Sequence, residues 1–173
     1  MALVQKTINV GTFPNDGNGD TLRASFQKTN DNFTNLYTEV SKLPTDGLAQ
    51  RETVGFTTQT IDTNESVDIN IEAYKGYILY KIESDASAWI RLYANSSLRT
   101  SDSSRTIEED PLPSSGVISE VITDGAQTII LAPGVHGFNA ENPPTNIIPV
   151  KITSLAAEAR AITVVITLLK MEV

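Results

Sequence analysis

The hydrophobic period of this chain changes once, near Val54, and that change limits the folds that the chain can adopt. Before this point apolar residues recur at intervals of three and four, as on one face of a helix. After it they alternate with polar residues, as in β-strands. The sequence therefore predicts a mainly β protein, with an N-terminal arm, turn and single α-helix in residues 1–46 and a β-sandwich domain in residues 47–173.

A heptad pattern runs along the predicted helix. Its positions alternate in steps of four and three: Leu22, Phe26, Thr29, Phe33, Leu36, Val40 and Leu43. This spacing predicts the seam of a coiled coil, and the bulk of its Phe side chains favours a homotrimer over a dimer. The apolar seam residues, together with Tyr37, are the predicted oligomer or attachment interface. Because Tyr37 widens the stripe, a lone amphipathic helix packed on the β domain of its own chain stays open as the alternative.

A dense group of turn residues precedes the helix: Asn15, Asp16, Gly17, Asn18, Gly19 and Asp20. Gly tolerates positive φ, and Asn and Asp side chains bond their own backbone, so the group predicts a tight turn. Asp20 stands where an N-cap is expected. The same oxygen-rich string lacks the acidic spacing and the distal bidentate Glu of an EF-hand, so we expect no metal there.

Two further segments flank the turn and the helix. Residues 3–10 alternate like a short strand, and because an isolated chain offers this strand nothing to pair with, we expect it to dock on a neighbouring subunit. Pro44 ends the helix, and Asp46 with Gly47 makes a turn at the start of the linker.

The arm, turn and helix share an ordered pattern over residues 11–37, G-T-x-x-N-D-G-x-G-D-x-L-R-x-x-F-x-K-x-N-x-N-F-x-x-L-Y. The pattern resembles an N-terminal segment of many virion proteins of tailed bacteriophages, which are baseplate, neck and tail-fibre components. The resemblance implies a trimeric virion protein whose N-terminus is its attachment or trimerisation element. None of the matched positions implies catalysis.

The remainder of the chain predicts eight short strands, rich in Ile, Val, Thr and Tyr and separated by turn residues. They are residues 55–63, 66–71, 76–84, 88–94, 117–123, 127–132, 146–153 and 161–173. Asp124 and Gly125 form a hairpin turn between the fifth and the sixth. Strands at this spacing without intervening helices predict an antiparallel, jelly-roll-like β-sandwich.

Three aromatic side chains and two irregular segments are the other features of the β region. Tyr77, Trp89 and Tyr93 could stack on a host surface glycan, although a core or interface position suits the single Trp better. Residues 95–116 form either a partner-contact loop or a solvated excursion. His136, the only His, lies in the second irregular segment, 132–138, and has no partner in a two-His metal site or a catalytic triad.

Composition excludes several classes of function. The net charge is −8, and the 13 Lys and Arg residues are scattered, which argues against nucleic-acid and anionic-membrane partners. The absence of Cys excludes disulfides and thiolate metal sites. Residues 1–10 lack a signal-peptide pattern, and no apolar run is long enough to span a bilayer. We therefore expect a soluble virion protein that is made in the host bacterial cytoplasm and needs no cofactor.

Three functions follow from these observations, of which the first is favoured. It is a non-enzymatic structural component of a phage tail, in the baseplate, neck or fibre attachment, that trimerises and docks on other tail proteins. The alternative is a tail-fibre module that binds a host receptor or glycan through the β-sandwich. An enzyme is the least favoured, because no catalytic signature occurs.

Overall fold

The computed structural model describes residues 5–13, 16–42 and 49–172. These residues fall into two compact units, one before residue 49 and one from Ala49 onward. The predicted domain boundary between residues 46 and 47 lies in the segment 43–48, outside the described residues.

Helix α1 of the first unit spans Leu22–Val40. Thr21 is its N-cap: its backbone is extended, and its hydroxyl accepts a 3.2 Å hydrogen bond from the Ala24 amide. The prediction that Asp20 caps the helix is therefore wrong by one residue, because the Asp20 carboxylate is occupied by Asn9 and Lys28. The helix ends at Val40 with Ser41 as C-cap, which is earlier than the heptad pattern predicts.

The arm that precedes the turn differs from its prediction. Its described part, residues 5–10, forms no strand and instead bonds to α1 of its own chain. A docking partner for this segment is thus present within the same chain. The prediction of a strand is wrong for these residues, since side chains of the helix bond to the backbone of Lys6 and Thr7.

The second unit contains eight strands and one short helix within residues 49–172. They are β1 Arg51–Thr57, β2 Ser66–Glu72, β3 Gly76–Ser84, β4 Ser87–Tyr93, α2 Ser96–Ser101, β5 Val117–Asp124, β6 Gln127–Phe138, β7 Ile147–Ser154 and β8 Thr163–Glu172. Three elements differ clearly from the prediction. β1 spans Arg51–Thr57 where residues 55–63 were predicted, β6 continues through the predicted irregular segment to Phe138, and α2 lies in the predicted loop 95–116.

The strands form two antiparallel four-stranded sheets that pack as a sandwich. Their orders are β1-β8-β3-β6 and β2-β7-β4-β5, which we name sheet 1 and sheet 2. This interleaved order is that of an eight-stranded jelly roll, so the predicted fold is confirmed.

The core of the sandwich lies between the sheets and follows the alternation of the sequence. In β8 the side chains of Val164, Ile166 and Leu168 are fully buried, whereas their neighbours Val165 and Thr167 lie on the outer face. In β4 the inward residues are Ile90 and Leu92. Alternation in the sequence therefore separates the core face from the outer face on both sheets.

Candidate functional site

The polar face of α1 holds the arm in place. Asn32 pairs with the backbone of Lys6 in both directions, accepting from its amide and donating to its carbonyl, each at 2.8 Å. The Lys28 ammonium donates to the Thr7 carbonyl at 3.0 Å. Two side chains of the helix thus supply the hydrogen bonds that a second strand would otherwise supply to the arm.

Asp20 ties the other end of the arm to the start of the helix. Its carboxylate accepts from the Asn9 amide at 2.8 Å, and its own amide donates to the Asn9 carbonyl at 2.7 Å. It also accepts from the Lys28 ammonium at 2.6 Å. The hydrogen bond from Lys28, and then that from Asn9, hold the pKa of Asp20 below its ordinary value. We name Asp20, Lys28 and Asn32 the arm clamp.

The predicted turn is organised by Asp16. Its carboxylate accepts from the amides of Asn18 at 2.9 Å and Phe13 at 3.0 Å, and these bonds lower its pKa. Gly17 has a φ of +70°, which favours Gly there. Gly19 lies close to the arm, since an added Cβ would meet the Asn9 carbonyl oxygen at 3.1 Å. The predicted turn residue Asn15 lies outside the described residues.

The apolar residues of α1 are exposed. The structure describes this helix in full and buries none of its residues. Six large apolar side chains have exposed fractions of 50% to 74%, and we name them the α1 stripe: Leu22, Phe26, Phe33, Leu36, Tyr37 and Val40. The seventh predicted interface residue, Leu43, lies outside the described residues.

The α1 stripe and the arm clamp lie on different sides of the helix. At about 100° of rotation per residue, the stripe is centred near Phe33, and Lys28 and Asn32 lie roughly 140° and roughly 100° away from it. The arm therefore leaves the stripe uncovered. A contiguous exposed apolar patch of this kind is typical of a protein–protein contact.

The three predicted glycan contacts are buried, so that prediction is wrong for the surface of this chain. Tyr77 belongs to the sandwich core and packs so closely on Gly137 that an added Cβ would lie 2.3 Å from its ring. Trp89 and Tyr93 have exposed fractions of 4% and 0%. Burial raises the pKa of Tyr77 and Tyr93 above the ordinary value. None of these rings can stack on a sugar.

Trp89 is covered by two guanidinium groups on the outer face of sheet 2. The Arg91 guanidinium lies 3.4 Å from the centroid of the Trp89 ring, and that of Arg105 lies 5.0 Å from it. Arg91 is almost fully buried and donates to the Thr153 hydroxyl at 2.8 Å. The indole is therefore part of a packed, charged layer and not a surface platform.

A hydrogen-bonded network attaches the segment 95–116 to this face. Arg105 bonds to Asp102 at 2.9 Å and to Glu120 at 2.6 Å, and the Tyr93 hydroxyl donates to Asp102 at 2.7 Å. Burial alone would raise the pKa of Asp102, but the hydrogen bonds from Arg105 and Tyr93 hold it below its ordinary value. Arg105 and Asp102 thus act as an anchor, and the segment covers sheet 2 in an ordered conformation.

Two further features were searched for in the part of the chain that the structure describes, a cluster of metal ligands and a membrane-spanning helix. Across residues 5–13, 16–42 and 49–172, no three His, Asp or Glu side chains are grouped so as to hold a metal ion. His136 lies on β6 opposite Ile78. Among the same residues, no helix has both the length and the apolar character needed to cross a bilayer.

The hydrogen bonds of Lys28 and Asn32 to the arm were not predicted from the sequence, although a signal for them was present. These residues are four apart and so lie on one face of the helix. They are also polar positions of the N-terminal pattern, away from the apolar stripe. Polar residues repeated at helical spacing opposite an apolar stripe indicate a second contact surface.

Comparison with known proteins adds no further assignment: no protein-family model matches the chain, and no curated protein matches it significantly.

Proposed function

We propose that this chain is a non-enzymatic structural component of a bacteriophage tail, in the baseplate, the neck or the fibre attachment. It forms a homotrimer through α1 and docks on other virion proteins. The exposed α1 stripe carries this proposal, because six large apolar side chains within 19 helical residues are half or more exposed. Water contact with so many apolar side chains is unfavourable, and association of helices removes it.

The magnitude of this effect is comparable with the cost of association. Burying a large apolar side chain completely contributes about 1.5–3 kcal/mol, so covering the exposed half of each contributes roughly 1 kcal/mol. The stripe thus supplies roughly 6 kcal/mol per chain and roughly 18 kcal/mol per trimer. Association opposes this by about 4–15 kcal/mol for each of the two chains that join a first, or about 8–30 kcal/mol per trimer. Burial of the stripe therefore offsets the lower half of this range, and the proposed trimer needs most of the stripe to be covered.

The arm clamp is compatible with this assembly. Since Lys28 and Asn32 lie roughly 140° and roughly 100° from the centre of the stripe, the arm that they hold lies beside the stripe and does not cover its centre in a helical bundle. The arm and the turn then present a second surface to a neighbouring virion protein. Val10 and Phe13, which are 85% and 72% exposed, are the apolar side chains that the arm offers there.

The partners follow from the same chemistry. With a net charge of −8 the chain is suited to protein partners and not to nucleic acid or an anionic membrane. Its place is the virion, after synthesis in the host cytoplasm. The glycan-binding alternative receives no support from Tyr77, Trp89 and Tyr93, which are buried.

Light scattering of the purified full chain tests the proposal. We expect a mass three times that of the 18.7 kDa chain. A monomer at all concentrations would contradict trimerisation through the stripe. A trimer that survives a charge placed in the stripe would show that another surface holds the chains together.

A further inference from the structure

The chain contains a single Asn-Gly pair, Asn18 and Gly19, which lies in the turn between the arm and α1. The backbone amide of a Gly can attack the side chain of a preceding Asn, because no Cβ shields its nitrogen. In this reaction the Gly19 nitrogen would bond to Cγ of Asn18 and give up its proton, and the side-chain nitrogen of Asn18 would leave as ammonia. Water then opens the cyclic imide at one of its two carbonyls, which gives isoaspartate or aspartate. The conversion needs no reactant other than water.

Both reacting groups are accessible in the folded chain. Asn18 and Gly19 are exposed. Across residues 5–13, 16–42 and 49–172, no atom accepts a hydrogen bond from the Gly19 amide, whereas the amides on either side of it donate to Asp16 and Asn9. Attack by the Gly19 nitrogen therefore gives up no hydrogen bond to these residues.

Other Asn residues lack such a neighbour. The amide that follows Asn64 donates to the Asp62 carbonyl at 3.0 Å, and the residue that carries it is not Gly. The amide that follows Asn95 donates to the Glu141 carboxylate at 2.9 Å. Asn142 precedes a Pro, which has no N–H group to attack with. The Asn residues within α1 are followed by amides that belong to the helix. Asn18 thus differs from these residues in both the size and the hydrogen bonding of the group that follows it.

The backbone of Asn18 takes part in the contact between the turn and the arm. Its amide donates to the Asp16 carboxylate at 2.9 Å, and its carbonyl accepts from the Asn9 side chain at 2.7 Å. Gly19 lies against the arm, since an added Cβ would meet the Gly11 amide nitrogen at 3.2 Å. These contacts depend on the spacing of the backbone through Asn18.

Either product of the reaction disturbs this contact. Isoaspartate adds one carbon to the backbone at position 18, which lengthens the chain there by roughly 1.5 Å. A displacement of this size exceeds the tolerance of a hydrogen bond. Aspartate keeps the length of the backbone but places a second carboxylate beside that of Asp16, and like charges at this distance repel.

We propose that Asn18 is a site of spontaneous deamidation and that its conversion releases the arm from the start of α1. Position 18 is one of the variable positions of the N-terminal pattern, so the modification is a property of this chain. The site does not depend on the proposed trimer, since the turn, the arm and the helix that it joins belong to one chain.

Ageing of the purified full chain at mildly alkaline pH, followed by peptide mass spectrometry, tests the site. The tryptic peptide of residues 7–23 contains Asn18, and fragmentation of the peptide locates the converted residue. Enzymatic methylation of isoaspartate with a labelled methyl donor detects the first product. Ageing continues until the same chain, unfolded in guanidinium chloride, has lost its Asn18 amide. We expect Asn18 to be converted before every other Asn of the folded chain, and faster as the pH rises, because the attacking amide must lose its proton.

Hydrogen exchange of the Asn9 amide measures release of the arm. This amide donates to the Asp20 carboxylate at 2.8 Å, and we expect it to exchange about tenfold or more faster after conversion, because the arm no longer holds this bond. The matched control is Asn18→Gln, whose longer side chain would have to close a larger ring. After the same ageing, this variant should show no label in residues 7–23 and an unchanged exchange rate.

Three results would each overturn the proposal. The first is an Asn18 amide that survives in the folded chain while the unfolded chain loses it. The second is a different Asn that is converted before Asn18. The third is an aged, converted chain in which the Asn9 amide exchanges as slowly as in the fresh chain.

Discussion

Placing a carboxylate in the middle of the α1 stripe, with Phe33→Asp, should dissociate the trimer while leaving the β-sandwich folded. The Phe33 side chain is 54% exposed in the single chain, so about half of its surface is available for burial between helices. At about 1.5–3 kcal/mol for complete burial of a Phe, the loss is roughly 1 kcal/mol per chain and roughly 3 kcal/mol per trimer. Three carboxylates brought together near one axis add several kcal/mol of desolvation and repulsion.

The combined loss of at least about 5 kcal/mol corresponds to a change of more than three orders of magnitude in the dissociation constant, because each 1.4 kcal/mol is tenfold. Light scattering across a dilution series measures it directly, and we expect the variant to be monomeric where the unaltered chain is trimeric. The control is Gln27→Asp, which adds the same charge to an exposed position of α1 away from the stripe. Circular dichroism should show that the β domain is intact in both variants. If Phe33→Asp and Gln27→Asp retain equal trimer affinities, the stripe is not the interface.

Three other predictions concern the arm clamp and the network under residues 95–116. Asn32→Leu should speed hydrogen exchange of the Lys6 amide about tenfold or more, because it removes both hydrogen bonds to Lys6. The control Asn30→Leu, on another side of α1, should leave this exchange rate unchanged. Equal rates in the two variants would exclude the clamp. Acidification should release the arm, because the pKa of Asp20 is lower in the folded chain than its ordinary value of 3.8. The contribution of Asp20 to the stability of the arm is therefore complete above 3.8 and is lost as the pH falls through the lower, folded value. The NMR shift of the Asn9 amide should follow this titration. Arg105→Met should destabilise the sandwich by about 3 kcal/mol, because it leaves the buried Asp102 carboxylate without its cation. The control Arg160→Met, at an exposed ion pair, should lower the free energy of unfolding by less than about 1 kcal/mol. A thermal unfolding midpoint that is unchanged in both variants would contradict the anchor.

The sequence predicted the sandwich correctly because short stretches with a period of two recur along it, with turn residues between them. It failed where tertiary contacts override local pattern. Residues 132–138 were predicted to be irregular, yet β6 continues through them by leaving four residues unpaired around Pro133, and an edge strand tolerates this. Burial of Trp89 and Tyr93 was also not fixed by alternation, because it depends on the segment 95–116, which covers the outer face of sheet 2.

The N-terminal failures have a different cause. A sequence pattern gives the faces of a helix but not the segment that packs on each of them. Nothing in the alternation of residues 3–10 distinguishes a strand from an extended arm that bonds to side chains of its own helix. The exchange of hydrogen bonds between Lys6 and Asn32 imitates a strand pair. Asp20 was misassigned as the N-cap for the same reason, since its carboxylate is used by the arm and Thr21 is free to cap the helix.

The fixed positions of the N-terminal pattern divide into two sets according to their place on α1. Asp20, Lys28 and Asn32 bond within the chain and account for the conformation of the arm and the turn. The apolar positions, among them Phe26 and Phe33, make no comparable contribution, because they remain more than half exposed. In the proposed assembly, these half-exposed residues, at a spacing that suits helix association, would be covered by a contact outside the chain. The pattern would then combine a folding element and an assembly element on two different faces of one helix.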